Sequence, residues 1–427
     1  DKYCSDGNIT DSMKKNILWT KGHKVKSFDV FPDKSGDSVN MLGQISFIKY
    51  FEDVIDPSLH MDITIADTNG LINKIPIRSG SAVIINLEHP SQDDPIEMKL
   101  IVTNISGHII DQKREIYTLT CETIGALSNH TNRVWTKYKG SIAVSVSKIL
   151  NEKIDGKINF VDTTSNDCEF YGNYRRPFKV ISDLCRKAIP STGSFSVGNA
   201  GTAGYLFFET QDGYNFRSID VIFKSDAELE YVMTPFKKGL DVSNNFRLAG
   251  APAMTESHDI IKKLRSGAFS SSNWYYDVLT RKVHFYNFKY SGDVEKANDE
   301  DVTPVAYKKP YSRIILGTLD SGTTMRDADG VAIDTPQDQA RYQAQASARY
   351  SAMFSQILDI TVPMNLSLRA GQVINIIFPD LNTGKPQDKN SPESGKYMIA
   401  RLSHEFGNPE GDFTGLSLVR DSFTINE

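Results

Sequence analysis

The chain has 427 residues, of which 39% are hydrophobic and 24% are charged, and its formal net charge is −5. At roughly 100–200 residues per domain, this length predicts two to four domains, and no apolar run approaches the ~18–20 residues that a membrane span needs. Basic residues are scattered or paired, as at Lys262–Lys263, so the sequence lacks the basic stripe that typifies nucleic-acid-binding proteins.

The first part of the chain changes from a polar arm to a β domain. Residues 1–37 are polar and turn-rich, and we expect an N-terminal arm with weak structure of its own. From residue 38 hydrophobic residues alternate with polar ones, as Met61, Ile63 and Ile65 do. Alternation is typical of half-buried strands. The pattern predicts an antiparallel β domain over residues 38–128.

Residues 129–334 are predicted to form a mixed α+β insert region. A helix fits the apolar spacing of Gly140–Leu150, although Ala143–Val146 is also compatible with a strand. A second helix begins at Pro177, carries an apolar stripe and stops at Pro190.

Two hairpins and a helix are predicted in the rest of this insert region. The first hairpin turns at Asp212-Gly213, and the helix stops at Gly267. The predicted elements are a hairpin of Tyr205–Thr210 and Phe216–Phe223, a helix over Thr255–Ser266, a hairpin of Trp274–Leu279 and Val283–Phe288, and a charged loop at Glu295–Asp301.

A connecting helix is predicted over residues 335–355, with Thr335 as its N-cap and Pro336 at its first position. Four alanines share one face of this helix: Ala340, Ala344, Ala348 and Ala352. Such small side chains predict that a neighbouring backbone approaches closely. Alternation then returns and predicts a second β domain over residues 356–427.

The two β regions repeat the same order of strands and turns. Each has an alternating strand, a glycine turn, a strongly apolar strand closed by an acid and a proline, and two further strands. The segments that correspond are SGSAVIINLEHP (79–90) and RAGQVINIIFPD (369–380), MKLIVTNIS (98–106) and KYMIARLSH (396–404), and YTLTCETI (117–124) and GLSLVRDS (415–422). We interpret this repetition as an internal duplication. Coincidence is the alternative, because alternating patterns are common in β proteins.

The sequence carries no catalytic signature, and we predict no enzyme activity and no catalytic, cofactor-binding or metal site. The four cysteines form no CxxC pair. Asp327–Gly330 faintly resembles a calcium loop, but Pro336 stands where the bidentate glutamate is needed. Ser270–Ser272 is not part of a GxSxG turn, which holds the nucleophilic serine of many hydrolases. Gly198–Gly204 is rich in glycine, but it is not followed by the Lys-Ser or Lys-Thr pair that a phosphate-binding loop requires.

Two further groups have a structural interpretation beside a functional one. The acidic pairs Asp93-Asp94 and Glu300-Asp301 lie in polar stretches and are interpreted as solvated charge instead of a glycosidase pair. Trp274, Tyr275 and Tyr276 are interpreted as hairpin and core aromatics, with a sugar-binding platform as the alternative.

Several segments resemble the T-even-type phage baseplate hub family, whose tube domains are related to those of other contractile phage hubs and of type VI secretion spike proteins. The second tube domain of that family is matched by Leu368–Phe378, Gly395–Ile399, Ser403–Phe406 and Leu416–Arg420. The insert of that family is matched by Phe207–Asp220 and by the Pro177-Phe178 helix with Ile181 and Leu184. Together these patterns cover most of residues 38–427.

The resemblance implies a mainly β fold in which two similar antiparallel, barrel-like tube domains flank a mixed insert region. It implies a homotrimer whose six tube domains imitate sixfold symmetry toward the tail tube or tube-initiator protein, while the insert side contacts a trimeric central spike. Other baseplate proteins are further expected partners, and DNA only passes through the channel during genome ejection. The expected location is the tail baseplate of a virion, assembled in the host cytoplasm, with no cofactor and no membrane span.

Two other functions remain as alternatives at this point. One is a peptidoglycan-degrading enzyme carried at a tail tip, and the other is a module that binds cell-wall carbohydrate or a receptor, with Trp274–Tyr276 as its candidate binding residues. Lysis of cell walls by the purified protein would favour the first, and binding to cell-wall fragments would favour the second.

Overall fold

A computed structural model describes residues 24–32, 37–75, 77–88, 95–110, 114–191, 201–233, 248, 252–257, 259–278, 281–289, 300–301, 312–319, 336–378, 393–407 and 412–423. The strands are β1 (Lys24–Phe31), β2 (Val39–Asn40), β3 (Ile45–Asp53), β4 (His60–Asp67), β5 (Ala82–Glu88), β6 (Ile96–Ile110), β7 (Glu115–Thr123), β8 (Lys137–Tyr138), β9 (Ile158–Val161), β10 (Phe170–Tyr171), β11 (Tyr205–Thr210), β12 (Gly213–Ser218), β13 (Leu229–Val232), β14 (Ala253–Ser257), β15 (Ser270–Asp277), β16 (Lys282–Lys289), β17 (Glu300–Asp301), β18 (Arg313–Leu319), β19 (Gln356–Pro363), β20 (Val373–Ile377), β21 (Gly395–Phe406), β22 (Phe413–Arg420) and β23 (Ser422–Phe423). The helices are α1 (Leu71–Lys74), α2 (Ile124–Thr131), α3 (Ile142–Lys153), α4 (Pro177–Cys185), α5 (Ile219–Lys224), α6 (Ile260–Ser266) and α7 (Pro336–Met353).

One sheet of 13 strands dominates the structure. Its order is β14-β19-β22-β21-β3-β4-β7-β6-β5-β1-β2, with β20 beside the first part of β21 and β13 beside β20. The mainly β fold with α+β inserts that was predicted from the sequence is therefore confirmed.

The sheet contains the same four-strand arrangement twice. In the first half β4, β7, β6 and β5 are neighbours in that order, and in the second half β19, β22, β21 and β20 are. All of these pairs are antiparallel. Val102 pairs with Cys121 just before a bulge in β6, and Ile399 pairs with Leu418 just before a bulge in β21. A bulge is a specific feature, so its repetition at the matching place is strong support for a duplication.

The glycine turns before β5 and β20 are also equivalent. Gly80 N–H donates to the Val102 carbonyl at 2.7 Å, and Gly371 N–H donates to the Ile399 carbonyl at 2.8 Å. Both glycines have positive φ, +99° and +81°, a conformation in which a side chain is strained.

The letter-for-letter pairing of the two β regions is wrong by one residue. It matches Val83 with Val373, whereas the strand registers match Val83 with Ile374. The reason is burial, because Val373 turns its side chain to the other face of the sheet, where insert residues cover it. A strand that is buried on both faces loses the alternation that reveals its register.

A single hydrophobic core runs through both halves of the sheet. It includes the inward residues of β4 (Met61, Ile63, Ile65) and of β19 (Leu358, Ile360, Val362), as the alternation predicted. The halves join where β21 pairs antiparallel with β3, from Arg401 opposite Asp53 to Phe406 opposite Ile48.

The first insert packs α3 and α4 on a three-stranded sheet of order β11-β12-β9. Residues 142–153 are helical, which decides against the strand alternative for Ala143–Val146. The predicted Pro177 helix is present as α4, with the proline in its first turn. The second arm of the predicted hairpin is wrong beyond Ser218, because Ile219–Lys224 is the helix α5.

The second insert packs α7 against a sheet of order β16-β15-β18. Ala344 and Ala348 are buried against Phe288 of β16, which confirms the close approach predicted for the alanine face. The predicted helix over Thr255–Ser266 is wrong in its first part, since Thr255 belongs to β14 and Asp259 caps α6 by accepting the Lys262 N–H.

Three expected boundaries differ from the structure. Lys24–Phe31, which was expected to lie in an arm with weak structure of its own, forms β1 and pairs with β5. The boundary at residue 128 lies inside α2. The strands β13 and β14 lie within the predicted insert region but complete the second half of the large sheet, where they pair with β20 and β19.

Glu300–Asp301, which was predicted to be part of a loop, pairs with β23. Thr335 and residues 1–23 lie outside the described residues.

The two equivalent glycine turns give a matched test. A Cβ on Gly371 would lie 2.6 Å from the Phe208 ring, whereas a Cβ on Gly80 would have nothing within 4 Å. We expect Gly80→Ala to cost about 1–2 kcal/mol of unfolding free energy from backbone strain alone, and Gly371→Ala to cost about 1–3 kcal/mol more from overpacking. Urea unfolding of both variants measures the difference, and equal losses would contradict the predicted contact with Phe208.

Candidate functional site

The groups considered for chemistry are not gathered into a catalytic centre in the described part of the chain. Ser270 and Ser271 are fully buried in β15. Asp93, Asp94 and Asp327–Gly330 lie outside the described residues, as do the first three residues of Gly198–Gly204. Over the described ranges no cluster of His, Cys, Asp and Glu side chains is arranged to hold a metal ion. None of the helices described there has the length and hydropathy needed to cross a membrane.

The outward face of the large sheet carries a ladder of polar cross-strand pairs. Directly opposite residues on neighbouring strands interact most strongly in a sheet. The pairs are Lys49–Glu405 at 2.9 Å, Asp53–Arg401 at 2.7 Å, Thr120–Asp62 at 2.8 Å and Thr64–Thr118 at 3.1 Å. The ladder crosses the β21·β3 junction, so the polar surface continues from one half to the other outside the part of this face that the insert covers.

This outward face has more acidic than basic side chains along its central strands. Lys49 and Arg401 are each paired with a carboxylate. Further carboxylates stand on the same face at Asp62, Glu122 and Asp359. A cleft of about 640 Å³ follows the face past Asp53, His60, Asp359 and Arg401. A surface of this kind repels a polyanion or leaves it unbound.

A buried carboxylate, Glu52 of β3, ties three parts of the chain together. Its Oε1 accepts from the Tyr50 hydroxyl at 2.5 Å and from the Gln211 N–H at 2.8 Å, and its Oε2 accepts from the Ala370 N–H at 2.8 Å. Burial raises the pKa of Glu52, while Arg369 and these hydrogen bonds oppose the rise. The contacts fix the β11–β12 turn of the first insert against both halves of the sheet.

A second buried carboxylate, Glu209 of β11, fastens the same hairpin to the first half of the sheet. Its Oε2 accepts from the Thr123 hydroxyl at 2.9 Å and from the Leu59 N–H at 3.2 Å. Burial raises the pKa of Glu209 to about 8. Perturbed carboxyl groups often mark functional sites, but these two are occluded and hydrogen-bonded to backbone, which indicates a structural role.

A buried ionic triad anchors α7. Arg349 donates from Nε to Asp220 Oδ1 at 2.7 Å and from Nη1 to Asp421 Oδ2 at 2.5 Å. Its guanidinium also lies 5.2 Å from the Phe223 ring centre. All three charged side chains are at most 2% exposed. The triad connects α7 with α5 and with the end of β22.

Sequence reasoning missed Glu52 and Arg349, although each leaves a signal. Glu52 continues the inward positions of Ile48 and Tyr50 in an alternating strand. Arg349 interrupts an apolar helical stripe between Ala346 and Met353. A charged residue at a core position is the pattern that predicts a buried polar contact.

One face of the second insert sheet is apolar and exposed. Tyr275 is buried, as a core aromatic should be, but its neighbours Trp274 and Tyr276 are 39% and 43% exposed. Tyr275 is therefore the core aromatic of the three, whereas Trp274 and Tyr276 are exposed aromatics of the β15–β16 hairpin. The exposed hydrophobic residues of this face include Trp274, Tyr276, Val283, Phe285, Ile314 and Leu316. An exposed apolar patch of this kind marks an interaction surface.

Comparison with known proteins identifies the fold. No protein-family model and no curated protein matches the sequence. Among solved structures, the chain is similar to a tail protein from Neisseria meningitidis, with a TM-score of 0.54 and 11% identity over 92% of this chain and 96% of that one. It is equally similar to a 43 kDa tail protein of prophage MuSo2 from Shewanella oneidensis, with a TM-score of 0.54 and 11% identity over 93% and 99% of the two chains.

A weaker likeness extends to a type VI secretion system component from E. coli, with a TM-score of 0.42 and 11% identity over 94% of this chain and 77% of that one. The two likenesses with a TM-score of 0.54 show that the chain has the fold of these tail proteins, in agreement with the resemblance found in the sequence. At these identities the likeness concerns the fold alone.

Proposed function

We propose that this protein is a structural component of a phage-type tail, a baseplate hub that acts as a homotrimer and joins the tail tube to the central spike. The observation that carries the proposal is the duplicated half-sheet, with its repeated strand order, glycine turn and bulge. Three chains with two similar halves supply six similar units. Such a ring offers sixfold contacts to a tube and threefold contacts to a spike.

The polar face of the sheet is proposed to line a central channel. Its acidic excess and its paired basic residues support this role, because DNA must pass along a channel without binding to the wall. The inward face of the sheet is unsuited to lining a channel, since it is occupied by the hydrophobic core.

The insert side is proposed to contact the spike and other baseplate proteins. The exposed apolar face around Trp274 supports a protein partner, because Phe285 and Leu316 beside it offer no polar groups. The tube side would meet the tail tube or tube-initiator protein. We place the protein in the virion tail baseplate, assembled in the host cytoplasm and active during genome ejection, with no catalytic role.

The second candidate is a carbohydrate-binding role at the tail tip. It is favoured by the exposure of Trp274 and Tyr276, since aromatic faces stack on sugars. Binding of the purified protein to cell-wall fragments, abolished in Trp274→Ala, would support this candidate. Lysis of those fragments would instead indicate a peptidoglycan-degrading enzyme and would contradict the structural proposal.

The mass of the particle in solution tests the proposal. With a chain mass of 47.7 kDa, light scattering behind size-exclusion chromatography should give three times that value. A particle that stays at the mass of one chain at the highest concentrations, with spike protein absent and then present, would contradict the trimeric hub.

A further inference from the structure

A short two-stranded ribbon, formed by residues 134–139 and 170–176, lies on the surface of the first insert. Its strands β8 and β10 pair antiparallel, and a further antiparallel pair joins Val134 to Arg175. The buried contacts that hold this insert to the large sheet lie elsewhere, so the exposed side chains of the ribbon have no part in them. We call this feature the aromatic ribbon.

The exposed side chains of the aromatic ribbon are all aromatic, cationic or neutral and polar. None of them is aliphatic and none is acidic, although the chain as a whole has a net charge of −5. The exposed residues are Trp135, Thr136, Lys137, Lys139, Tyr171, Asn173, Tyr174 and Arg176. The ribbon thus offers aromatic rings and hydrogen-bond donors, in contrast to the exposed face around Trp274, which includes aliphatic Val283, Ile314 and Leu316.

Two neighbouring rings and two ammonium groups form the centre of the aromatic ribbon. Trp135 and Tyr174 are 53% and 73% exposed, and their ring centres lie 6.3 Å apart with the planes inclined by 30°. Lys153 Nζ lies 4.3 Å from the Trp135 ring centre, and Lys137 Nζ lies 5.9 Å from that of Tyr171. Rings beside cations suit a ligand that combines an apolar surface with negative charge.

The backbone that presents Tyr174 is strained. The Arg175 N–H donates to the Gly172 carbonyl at 3.1 Å and closes a tight turn, whose central residues Asn173 and Tyr174 have φ of +52° and +55°. Turns with two positive φ angles favour Asn followed by Gly, and a bulky residue in the second place is strained. Strained residues cluster at binding sites, so the cost of Tyr174 indicates a role for its exposed ring.

The aromatic ribbon is also rigidly held. The Gly172 N–H donates to the Thr136 carbonyl at 3.1 Å, and a Cβ on Gly172 would lie 2.4 Å from the Val134 carbonyl oxygen. An ion pair of 2.7 Å between Arg175 and Asp183 ties the ribbon to α4. Such fixed side chains lose little freedom when a ligand binds, which favours affinity.

We infer that the aromatic ribbon binds an anionic glycan. Trp135 and Tyr174 would stack on sugar rings, whose C–H faces are apolar, while Lys137 and Lys153 would pair with carboxylate or phosphate groups of the glycan. The inference goes beyond the proposed function, because it gives the hub a contact with a cell-surface polymer, and it does not depend on the trimer.

The same observations argue against a protein or a nucleic acid as the ligand. The buried core of a protein interface is depleted of charge, whereas Lys153 and Lys137 lie directly beside the rings. A single-stranded nucleic acid needs a line of available cations along its phosphates. Here Lys137 is paired with Glu169, and Arg175 is paired with Asp183.

Binding of the purified full chain to defined polymers tests the inference. The probes are a glycerol-phosphate teichoic acid, polygalacturonate, neutral dextran, oligothymidylate and polyglutamate, measured by biolayer interferometry. We expect binding to at least one of the two anionic glycans and much weaker binding to the other three polymers. Trp135→Ala and Tyr174→Gly should each weaken glycan binding by about tenfold or more, as for an aromatic anchor.

Tyr174→Gly separates loss of the site from loss of the fold. Glycine adopts the positive φ of this position without strain, so the urea midpoint of this variant should equal or exceed that of the original protein while binding falls. Phe160→Ala is the matched control, because Phe160 is also an exposed ring of this insert beside a cation, with Arg217 5.3 Å from its centre. This control should bind as the original protein does.

The two glycans distinguish the sources of the negative charge, since teichoic acid carries phosphate and polygalacturonate carries carboxylate. Binding to neither glycan, or undiminished binding in both ribbon variants, would overturn the inference. Preferred binding to oligothymidylate or polyglutamate would overturn it in favour of a nucleic acid or an acidic protein. Glycan binding that is lost in Trp274→Ala and kept in Trp135→Ala would move the site to the second insert. The particle mass is measured separately, so failure of the trimeric hub would be recognised independently.

Discussion

Replacing Arg349 with alanine is expected to lower the free energy of unfolding by about 3–5 kcal/mol, the cost of breaking a buried ion pair by removing one partner. The side chain is 1% exposed and donates to both Asp220 and Asp421. Its removal leaves two carboxylates buried without their cation, and it also leaves a void beside Phe223. Urea unfolding followed by tryptophan fluorescence measures the loss.

Two further variants separate lost charge pairing from a general effect on the helix. Arg341→Ala removes an exposed arginine of the same helix and should change the unfolding free energy by about 0.5 kcal/mol or less. Combining Arg349→Met with Asp220→Asn and Asp421→Asn removes all three charges and should recover much of the stability. If Arg341→Ala and Arg349→Ala were equally harmful, the buried triad would not be what anchors α7.

Stability is expected to fall as the pH rises from about 4.5 to 8, and Glu209→Gln should flatten this dependence. Burial raises the pKa of Glu209 from 4.5 to about 8, so between these values the folded protein keeps a proton that the unfolded chain has released. The favourable contribution is complete below pH 4.5 and is lost as the pH passes the folded-state value. One pKa unit corresponds to about 1.4 kcal/mol, so the change across the window is on the order of 3 kcal/mol or more.

Glutamine resembles the protonated acid and can still accept from Thr123 and Leu59. Glu209→Gln should therefore match the original protein near pH 5 and exceed its stability at pH 8.5, as measured by urea unfolding at several pH values. The raised pKa of Glu52 leaves part of the dependence in place. Glu97→Gln, at an exposed position of β6, is the matched control. Identical pH profiles for the original protein and Glu209→Gln would contradict the assignment.

Both predictions concern contacts that hold the first insert and α7 against the duplicated sheet. The Glu52 and Glu209 contacts fix the β11–β12 hairpin, and the Arg349 triad fixes α7 beside α5. In the proposed hub these contacts would carry load between the spike side and the tube side. Their burial explains why polar contacts serve this purpose: a broken contact leaves a buried polar or charged group unsatisfied, so the arrangement is either complete or strongly penalised.

Local patterns predicted much of this protein from the sequence alone. Alternation located β4 and β19, and Pro177 and the alanine face located α4 and α7. The repeated order of strands and turns in the two β regions correctly indicated a repeated half-sheet. These features depend on hydrophobic spacing and turn chemistry, which each segment carries within itself.

Only the tertiary structure decided the register of the duplication, the roles of β1, β13 and β14, and the positions of Glu52 and Arg349. In the sequence Val373 cannot be distinguished from a residue that points into the main core. The structure shows that its side chain lies on the opposite face of the sheet, which the insert covers. Edge strands take their partners from distant parts of the chain, and a buried charge is acceptable only where remote groups meet it. Such long-range contacts are decided by packing, which no short stretch of sequence encodes by itself.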